Sequence, residues 1–257
     1  MKKINHSKEK AKFKAIFFDF GGTLMDTESD NFAHQAMMKD IIHKFKLTIQ
    51  VEDLVAKYNS LIFTKEMTLL DPDPLVQCFN PLRKSTKKAF IRLLSEFRIT
   101  PSSEDFSWFE KIYLKRHLEF IKLFPETFNL INWIRKYPSL HLGIISDIDD
   151  DYMDFQFKAL GIRDLFDSIT TSEEVKAYKP KQQIFQTALN KAGCQGKEAI
   201  IIGDSYTKDI QGGKKMLMTT IWINKFQVKN NPESKDEADF TVHHLKEVLP
   251  ILQQLIK

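Results

Sequence analysis

The sequence predicts an α/β protein in which a doubly wound parallel sheet carries an inserted all-helical domain. Three observations lead to this fold class. Short apolar runs alternate with helical segments in the C-terminal half of the chain, a similar run lies near the N-terminus, and the residues between them show helical periodicity. Because strands alternating with helices form right-handed crossovers, we expect one open sheet with helices on both faces.

The N-terminal part predicts one strand followed by a block of helices. The apolar run 16–18 ends at Asp19 and is typical of a strand buried on both faces. From residue 28 to about residue 122, apolar residues recur at spacings of three and four. The segment 71–81 is rich in proline, so we expect a loop there. We therefore assign residues 25–123 to the helical insertion, and residues 1–24 with 124–257 to the core.

After Phe124 and Pro125 the pattern alternates. Helices are predicted near 127–136, 151–160, 181–192, 207–217 and 243–256, and strands near 141–146, 166–170, 199–202 and 219–223. The strand that ends at Asp19 must join this sheet, which makes the core discontinuous in sequence.

Composition argues against several classes of protein. The chain has 257 residues, 42% of them hydrophobic, and a net charge of +4. The basic N-terminal segment lacks interleaved aromatic residues, so it predicts a solvated tail rather than a nucleic-acid-binding arm. We find no secretory signal or membrane span, and Cys78 and Cys194 are far apart. We expect a cytoplasmic monomer or homodimer without nucleic-acid or membrane partners.

Four chemically active segments should meet at one edge of the sheet, where the carboxyl ends of parallel strands lie. Asp19 and Asp204 supply two carboxylates that suit a hard cation such as Mg²⁺. Ser146 ends a strand with a hydroxyl group, and Lys179 precedes a proline that we expect in the first turn of a helix. Asp209 should lie in the first turn of the helix after Asp204. Phosphoryl transfer requires groups of these kinds.

In this order and spacing the segments resemble the motifs of the haloacid dehalogenase-like (HAD) hydrolases. The matching residues are Asp19 to Leu24, Ser146, Lys179-Pro180, and Gly203-Asp204-Ser205 with Asp209. The resemblance implies a Rossmann-like core and a helical cap of the C1, subfamily I type over residues 25–123. It also implies a Mg²⁺-dependent phosphatase that forms an aspartyl-phosphate. A cap that closes over the site favours a small phosphorylated metabolite over a phosphoprotein.

The resemblance further implies a role for each site residue. Asp19 would be the nucleophile and Thr23 would position it, while Ser146 and Lys179 would hold the transferring group. Mg²⁺ would be bound by Asp19, the Gly21 backbone carbonyl and Asp204, with Asp209 in support, and the substrate would also contact Gly22 and Asp147.

The chain departs from the family pattern at Gly21. The family's phosphatases carry there an aspartate that protonates the leaving group and then activates water, and such groups contribute about 10²- to 10⁴-fold to the rate. One interpretation is a phosphatase that uses another donor, or a leaving group that needs none. The candidate donors are Asp26, Glu28 and His34. Other interpretations are a phosphonate-cleaving or dehalogenase-type member, or a catalytically degenerate phosphate-binding protein.

A phosphonate-cleaving member would need a cap lysine that forms a Schiff base. The available lysines are Lys39, Lys44, Lys57 and Lys65, each of which is more simply explained as part of a solvated helix face. A further group of acids, Asp147, Asp149, Asp150 and Asp151, precedes and opens a predicted helix. We expect these acids to cap that helix rather than to bind a metal.

Overall fold

The computed structural model describes residues 13–62, 79–225 and 238–256. Three expectations fall wholly or largely outside those residues: the role of Lys65, the state of Cys78, and the basic N-terminal segment. Most of the proline-rich segment 71–81 also lies outside them.

Within the described residues, six strands form one sheet in the order β3-β2-β1-β4-β5-β6, and every pairing is parallel. The strands are β1 (Ala15–Phe18), β2 (His141–Ser146), β3 (Ser168–Thr171), β4 (Ala199–Gly203), β5 (Thr219–Ile223) and β6 (Phe240–Val242). β1 lies between β2 and β4, so the N-terminal strand occupies the middle of the sheet. The fold class is confirmed. β6 was not predicted, because three residues are too few to show a periodicity.

Both faces of the sheet are buried. Side chains alternate along a strand, and Ile16 and Phe18 pack into one hydrophobic cluster while Ala15 and Phe17 pack into another. All four side chains are fully buried. This alternation explains why the run 16–18 is apolar throughout.

The helices of the described residues are α1 (Glu28–Phe45), α2 (Val51–Ile62), α3 (Leu82–Ser95), α4 (Ser103–Phe120), α5 (Thr127–Ile134), α6 (Asp150–Leu160), α7 (Ser172–Val175), α8 (Gln182–Lys191), α9 (Gln211–Lys215) and α10 (Val248–Leu255). The helix predicted near 207–217 is divided, because a π-helical turn over Tyr206–Ile210 precedes α9. Among the described residues there is no helix of the length and apolarity that a membrane crossing needs.

The placement of Pro180 in the first turn of a helix was wrong. The Lys181 N–H donates to the Tyr178 carbonyl at 3.0 Å, so residues 178–181 form a separate turn. The helix α8 begins only at Gln182. Lys179 is therefore held by a turn and by the contacts of its own side chain.

Helices α1 to α4 lie between β1 and β2 in sequence and bury a second hydrophobic cluster, which Tyr152 of α6 joins. The chain leaves the core and returns to it side by side, because Met25 and Leu123 form an antiparallel bridge. The Asp26 N–H donates to the Lys122 carbonyl at 3.0 Å. We call the segment between these crossings the cap, and its exact boundaries stay a prediction.

Asp149 connects the core to the cap. We expected it to cap its own helix, α6, but its side chain makes no capping bond there. Its two carboxylate oxygens instead accept from the Leu82 and Arg83 N–H groups of α3, at 2.7 and 2.9 Å. The first N–H groups of a helix have no partner within it, so a buried carboxylate at that end stabilises α3. The Arg83 side chain adds ion pairs to Asp151 and Glu173.

Replacing the Asp149 carboxylate should therefore loosen the cap. In Asp149→Asn one oxygen becomes an amide nitrogen that cannot accept from α3, and a buried group without its partner costs about 1–3 kcal/mol. We expect the free energy of unfolding in urea to fall by that amount. Asp154→Asn, an exposed change on the same helix, is the matched control and should leave stability nearly unchanged. Equal losses in the two variants would contradict this role for Asp149.

Candidate active site

The ammonium group of Lys179 lies at the centre of a buried charge cluster. It donates to Asp19 Oδ1 and Asp209 Oδ1, each at 2.7 Å, and to the Ile145 carbonyl at 3.1 Å. Three donors are the full capacity of a lysine. Burial alone would lower the pKa of Lys179, but the charges of Asp19, Asp209 and Asp147 outweigh it and raise the pKa above its ordinary value. Lys179 is therefore charged at neutral pH.

Asp19 follows β1 directly, and its N–H continues the sheet by donating to the Ile202 carbonyl at 2.9 Å. The residue is 6% exposed. Lys179 donates a hydrogen bond to Oδ1, whereas Oδ2 accepts a long hydrogen bond of 3.3 Å from the buried Thr23 hydroxyl. The carboxylate is thus oriented from two sides and keeps lone pairs available on Oδ2.

Two further carboxylates lie beside Asp19. Oxygens of Asp19, Asp204 and Asp209 lie within 4.8 Å of one another. Burial raises the pKa of Asp204 to about 6, and the charge of Asp19 adds to this shift. Burial likewise raises the pKa of Asp209 to about 7, although Lys179 opposes the shift. Crowded carboxylates with raised pKa values are an arrangement that a divalent cation would stabilise.

The donor set fits a hard cation. Carboxylate and carbonyl oxygens are the ligands that Mg²⁺ prefers. Asp209 has both oxygens engaged, one by Lys179 and the other by the Ser205 N–H at 3.0 Å. Asp19 and Asp204 have more lone pairs free, so they are better placed to contact a metal than Asp209 is.

Two glycines make room for these acids. Gly22 has a φ of +79°, and a Cβ there would overlap the Asp204 carboxylate. A Cβ at Gly203 would overlap the side chain of Asp209. The backbone therefore approaches both carboxylates as closely as only glycine allows. The Gly22 carbonyl also accepts a hydrogen bond from Lys225.

Two adjoining cavities open onto this cluster. The charged cavity, of about 250 Å³, is lined by Asp19, Lys179, Asp204, Ser205, Lys208 and Asp209. The cap cavity, of about 210 Å³, is lined by both domains and includes Asp30, His34, Leu82, Tyr113 and His117. Gly21, Ser146 and Asp147 line both. A bound molecule could thus place one end among the charges and the other under the cap.

Asp147 links the strand end at Ser146 to the lysine. Its Oδ1 accepts from the Lys179 N–H at 2.9 Å, and its Oδ2 pairs with the Lys208 ammonium group at 3.1 Å. The predicted site residues Asp19, Thr23, Ser146, Asp147, Lys179, Asp204 and Asp209, with Gly21 and Gly22, come together in this region. Lys208 and Lys225 were not among the predictions, because an isolated lysine gives no signal in sequence.

Gly21 is not required by the backbone. Its φ lies outside the left-handed region, and a Cβ added there would meet no atom within 4 Å. An aspartate side chain would therefore fit at this position, projecting into open space beside both cavities. The absence of an acid is a chemical property of this chain rather than a steric necessity.

The three candidate proton donors differ in position. Glu28 is exposed, and Asp26 accepts from the Glu28 N–H and pairs with Lys122. His34 lies on the cap cavity, but burial lowers the pKa of its imidazole, so it is neutral at pH 7. Asp30, which the sequence did not single out, also lies on that cavity.

The described cap lysines have other partners or face solvent. Lys44 pairs with Asp105 at 3.0 Å, Lys57 pairs with Glu96 at 2.5 Å, and Lys39 is exposed. None of these three lysines is among the described residues that line either cavity. Their positions give no support to a Schiff-base mechanism.

Comparison with known proteins identifies a family and several relatives. A family model described as "Haloacid dehalogenase-like hydrolase" matches residues 16–223. Among curated proteins, a glyceraldehyde 3-phosphate phosphatase of Methanocaldococcus jannaschii is 31% identical over 137 residues, which span 53% of this chain and 59% of that relative. The pyrophosphatase PpaX of Oceanobacillus iheyensis is 22% identical over 93% of this chain and 96% of its own length.

Solved structures show the same fold. The L-2-haloacid dehalogenase RSc1362 has a TM-score of 0.70 at 19% identity, with 94% of this chain and 99% of that chain covered. YfnB from Bacillus subtilis, solved with magnesium bound, has a TM-score of 0.69 at 20% identity and the same coverage.

The close approach at Gly22 predicts a specific penalty. Gly22→Ala and Gly161→Ala both place a Cβ at positive φ, which costs about 1–2 kcal/mol. Only Gly22→Ala also displaces a carboxylate, since a Cβ at Gly161 meets nothing within 4 Å. We expect Gly22→Ala to lose at least about 1 kcal/mol more unfolding free energy than Gly161→Ala, and to bind Mg²⁺ more weakly by calorimetry. Indistinguishable variants would show that Gly22 is not packed against Asp204 as described.

Proposed function

Because the chain belongs to the haloacid dehalogenase-like hydrolase family, we propose that it is a Mg²⁺-dependent phosphatase that transfers the phosphoryl group of a small metabolite to Asp19 and then to water. The observation that carries the proposal is the hydrogen bond of 2.7 Å from the Lys179 ammonium group to Asp19 Oδ1. Both residues line the charged cavity, and so does Asp204. A nucleophile, a cation and a metal-binding acid are thereby combined.

The names of the relatives support phosphate chemistry. The curated proteins named above are phosphatases, and a further relative, 32% identical over half of this chain, is a pyrimidine 5′-nucleotidase of Escherichia coli. All three act on phosphorylated compounds. The similarity to dehalogenases is a similarity of fold. The acids Asp204 and Asp209 favour the phosphatase over a dehalogenase, because a metal-free reaction has no use for this cluster of charges.

Asp19 and Asp204 would hold Mg²⁺, with the Gly21 carbonyl as a third protein oxygen and Asp209 orienting the set through Lys179. The bound ion would neutralise charge on the phosphate oxygens and on the crowded carboxylates. The size of the cap cavity supports a small substrate.

In the first step an Asp19 carboxylate oxygen forms a bond to phosphorus while the bond from phosphorus to the leaving oxygen breaks. Lys179 keeps the carboxylate in place and offsets negative charge on the transferring group. Ser146 can donate to a phosphate oxygen from the end of β2. The leaving oxygen departs with the electron pair and takes a proton if its basicity requires one.

In the second step water attacks the phosphorus atom of the aspartyl-phosphate and gives a proton to solvent. The bond from phosphorus to the Asp19 oxygen breaks, which frees the carboxylate and inorganic phosphate. Neither proton transfer can involve a side chain at Gly21. Good leaving groups such as acyl or aryl oxygens are therefore favoured over alkyl oxygens, unless a cap residue supplies the proton. The lack of an acid at Gly21 is also the observation that favours a phosphate-binding protein without turnover. The cytoplasmic location, the absence of nucleic-acid partners and the oligomeric state stay predictions.

Replacing the nucleophile tests the covalent mechanism. Asp19→Asn keeps the shape of the side chain but removes the negative charge that makes its oxygen nucleophilic. We therefore expect kcat for an aryl phosphate to fall by about 10³-fold or more. Circular dichroism and thermal unfolding should show a folded protein. Turnover that persists in the pure variant would rule out Asp19 as the attacking group.

Restoring an acid at position 21 tests the leaving-group argument. Gly21→Asp should raise kcat for an alkyl phosphate by about 10²-fold or more and change the rate for an aryl phosphate much less, because only the alkoxide needs a proton as it departs. Gly21→Asn is the matched control, since it adds the same bulk without the acid. An alkyl phosphate that the wild type already hydrolyses quickly, and that Gly21→Asp slows, would show that another group donates the proton.

A further inference from the structure

The cap cavity contains a carboxylate that nothing described neutralises. Asp30 lies in the first turn of α1 and lines this cavity. Of the residues that the structure describes, none donates a hydrogen bond to its carboxylate or pairs with it. Burial and the nearby charge of Asp26 raise its pKa to about 6, so most of it is ionised at pH 7.5. A half-buried anion of this kind is stabilised by a ligand that brings a positive charge.

None of the described residues that line the cap cavity carries a positive charge. Its two histidines, His34 and His117, lie with ring centroids 5.2 Å apart. Burial lowers the pKa of both, and the neighbouring His34 helps to bring the pKa of His117 to about 4. Both rings are therefore neutral at physiological pH. A leaving group that carries a carboxylate or a second phosphate would meet Asp30 without a compensating cation.

The remaining wall offers an acceptor to an ammonium group. The Tyr113 ring is stacked on His117 at 4.1 Å and on Tyr152 at 5.4 Å, so the stacking fixes the position of the His117 ring at the cavity wall. His117 Nδ1 lies 2.7 Å from the Tyr113 carbonyl, which can only accept, so Nδ1 carries the proton of the neutral ring. Nε2 is then left as an acceptor for an N–H group.

We propose that the cap cavity binds the protonated amine of a phosphorylated amino alcohol, with Asp30 as the residue that contacts the ammonium group. This inference rests on the proposed phosphatase function. The phosphate would occupy the charged cavity and the alcohol portion would extend past Gly21 into the cap cavity. Asp30 would then select among substrates by charge, while Asp19 performs the chemistry. An amino alcohol leaves as an alkyl oxygen, for which Gly21 supplies no proton, so Asp30 would favour the amine among alkyl esters, which the protein hydrolyses more slowly than aryl esters.

A series of three small phosphate esters tests the selection. Aminoethyl, propyl and carboxymethyl phosphate differ mainly in the charge at the end distant from phosphorus. For the wild-type protein with Mg²⁺ we expect kcat/KM to be at least about tenfold higher for the amine than for propyl phosphate, and lowest for the carboxylate. Asp30→Asn should lower the ratio of amine to propyl ester by at least about tenfold. Asp53→Asn, an exposed change on α2, is the matched control and should keep the ratio.

The outcomes distinguish this inference from the proposed phosphatase function on which it rests. If propyl and aryl phosphates are hydrolysed with dependence on Asp19 but the amine is not preferred, or Asp30→Asn keeps the preference, the inference is wrong and the phosphatase stands. If none of the three alkyl esters is hydrolysed while an aryl phosphate is, the phosphatase stands; if the aryl phosphate is not hydrolysed either, the phosphatase proposal fails. Calorimetry then still tests the cavity, because aminoethyl phosphate should bind more tightly than propyl phosphate to the wild type and lose that advantage in Asp30→Asn. Equal binding would overturn the inference.

Discussion

The site depends on one buried ammonium group. Lys179 is 2% exposed and uses all three of its protons, on Asp19, Asp209 and the Ile145 carbonyl. Asp19 follows β1, Asp209 follows β4, and Ile145 lies in β2. A single side chain therefore connects the carboxyl ends of three neighbouring strands. Removing one partner of a buried pair typically costs about 3–5 kcal/mol, because the other charge is left uncompensated. The contacts of Lys179 therefore fix the position of the nucleophile and also support the fold.

The same cluster is electrostatically incomplete without a cation. Three carboxylates lie close together against one lysine, and the raised pKa values of Asp204 and Asp209 reflect their burial and mutual repulsion. Glycines at 22 and 203 bring the backbone against these acids. A divalent ion would relieve the repulsion, which makes metal binding and stability interdependent. The walls of the cap cavity are largely apolar and its histidines are neutral, so the Asp30 carboxylate there has no compensating charge among the described lining residues.

Much of the core was predictable from sequence because buried strands are apolar throughout and parallel strands place their carboxyl ends at one edge. The order and spacing of Asp19, Lys179 and Asp204 therefore indicated the cluster. Long-range packing limited the rest. Asp30 and His117 lie on one cavity only because α1 and α4 pack together, and no local pattern reports that. Asp149 serves a helix 66 residues away in sequence, so its role was also missed.

The central claim is that Asp19 carries the phosphoryl group during turnover, and rapid acid quenching tests it most directly. With no acid at Gly21 to activate water, release of phosphate should be slow and the covalent species should accumulate. Wild-type protein mixed with Mg²⁺ and an aryl phosphate, then quenched and digested, should yield a peptide whose mass includes one phosphoryl group at Asp19. Consumption of the substrate with no phosphorylated peptide, or with the label on another residue, would contradict the account.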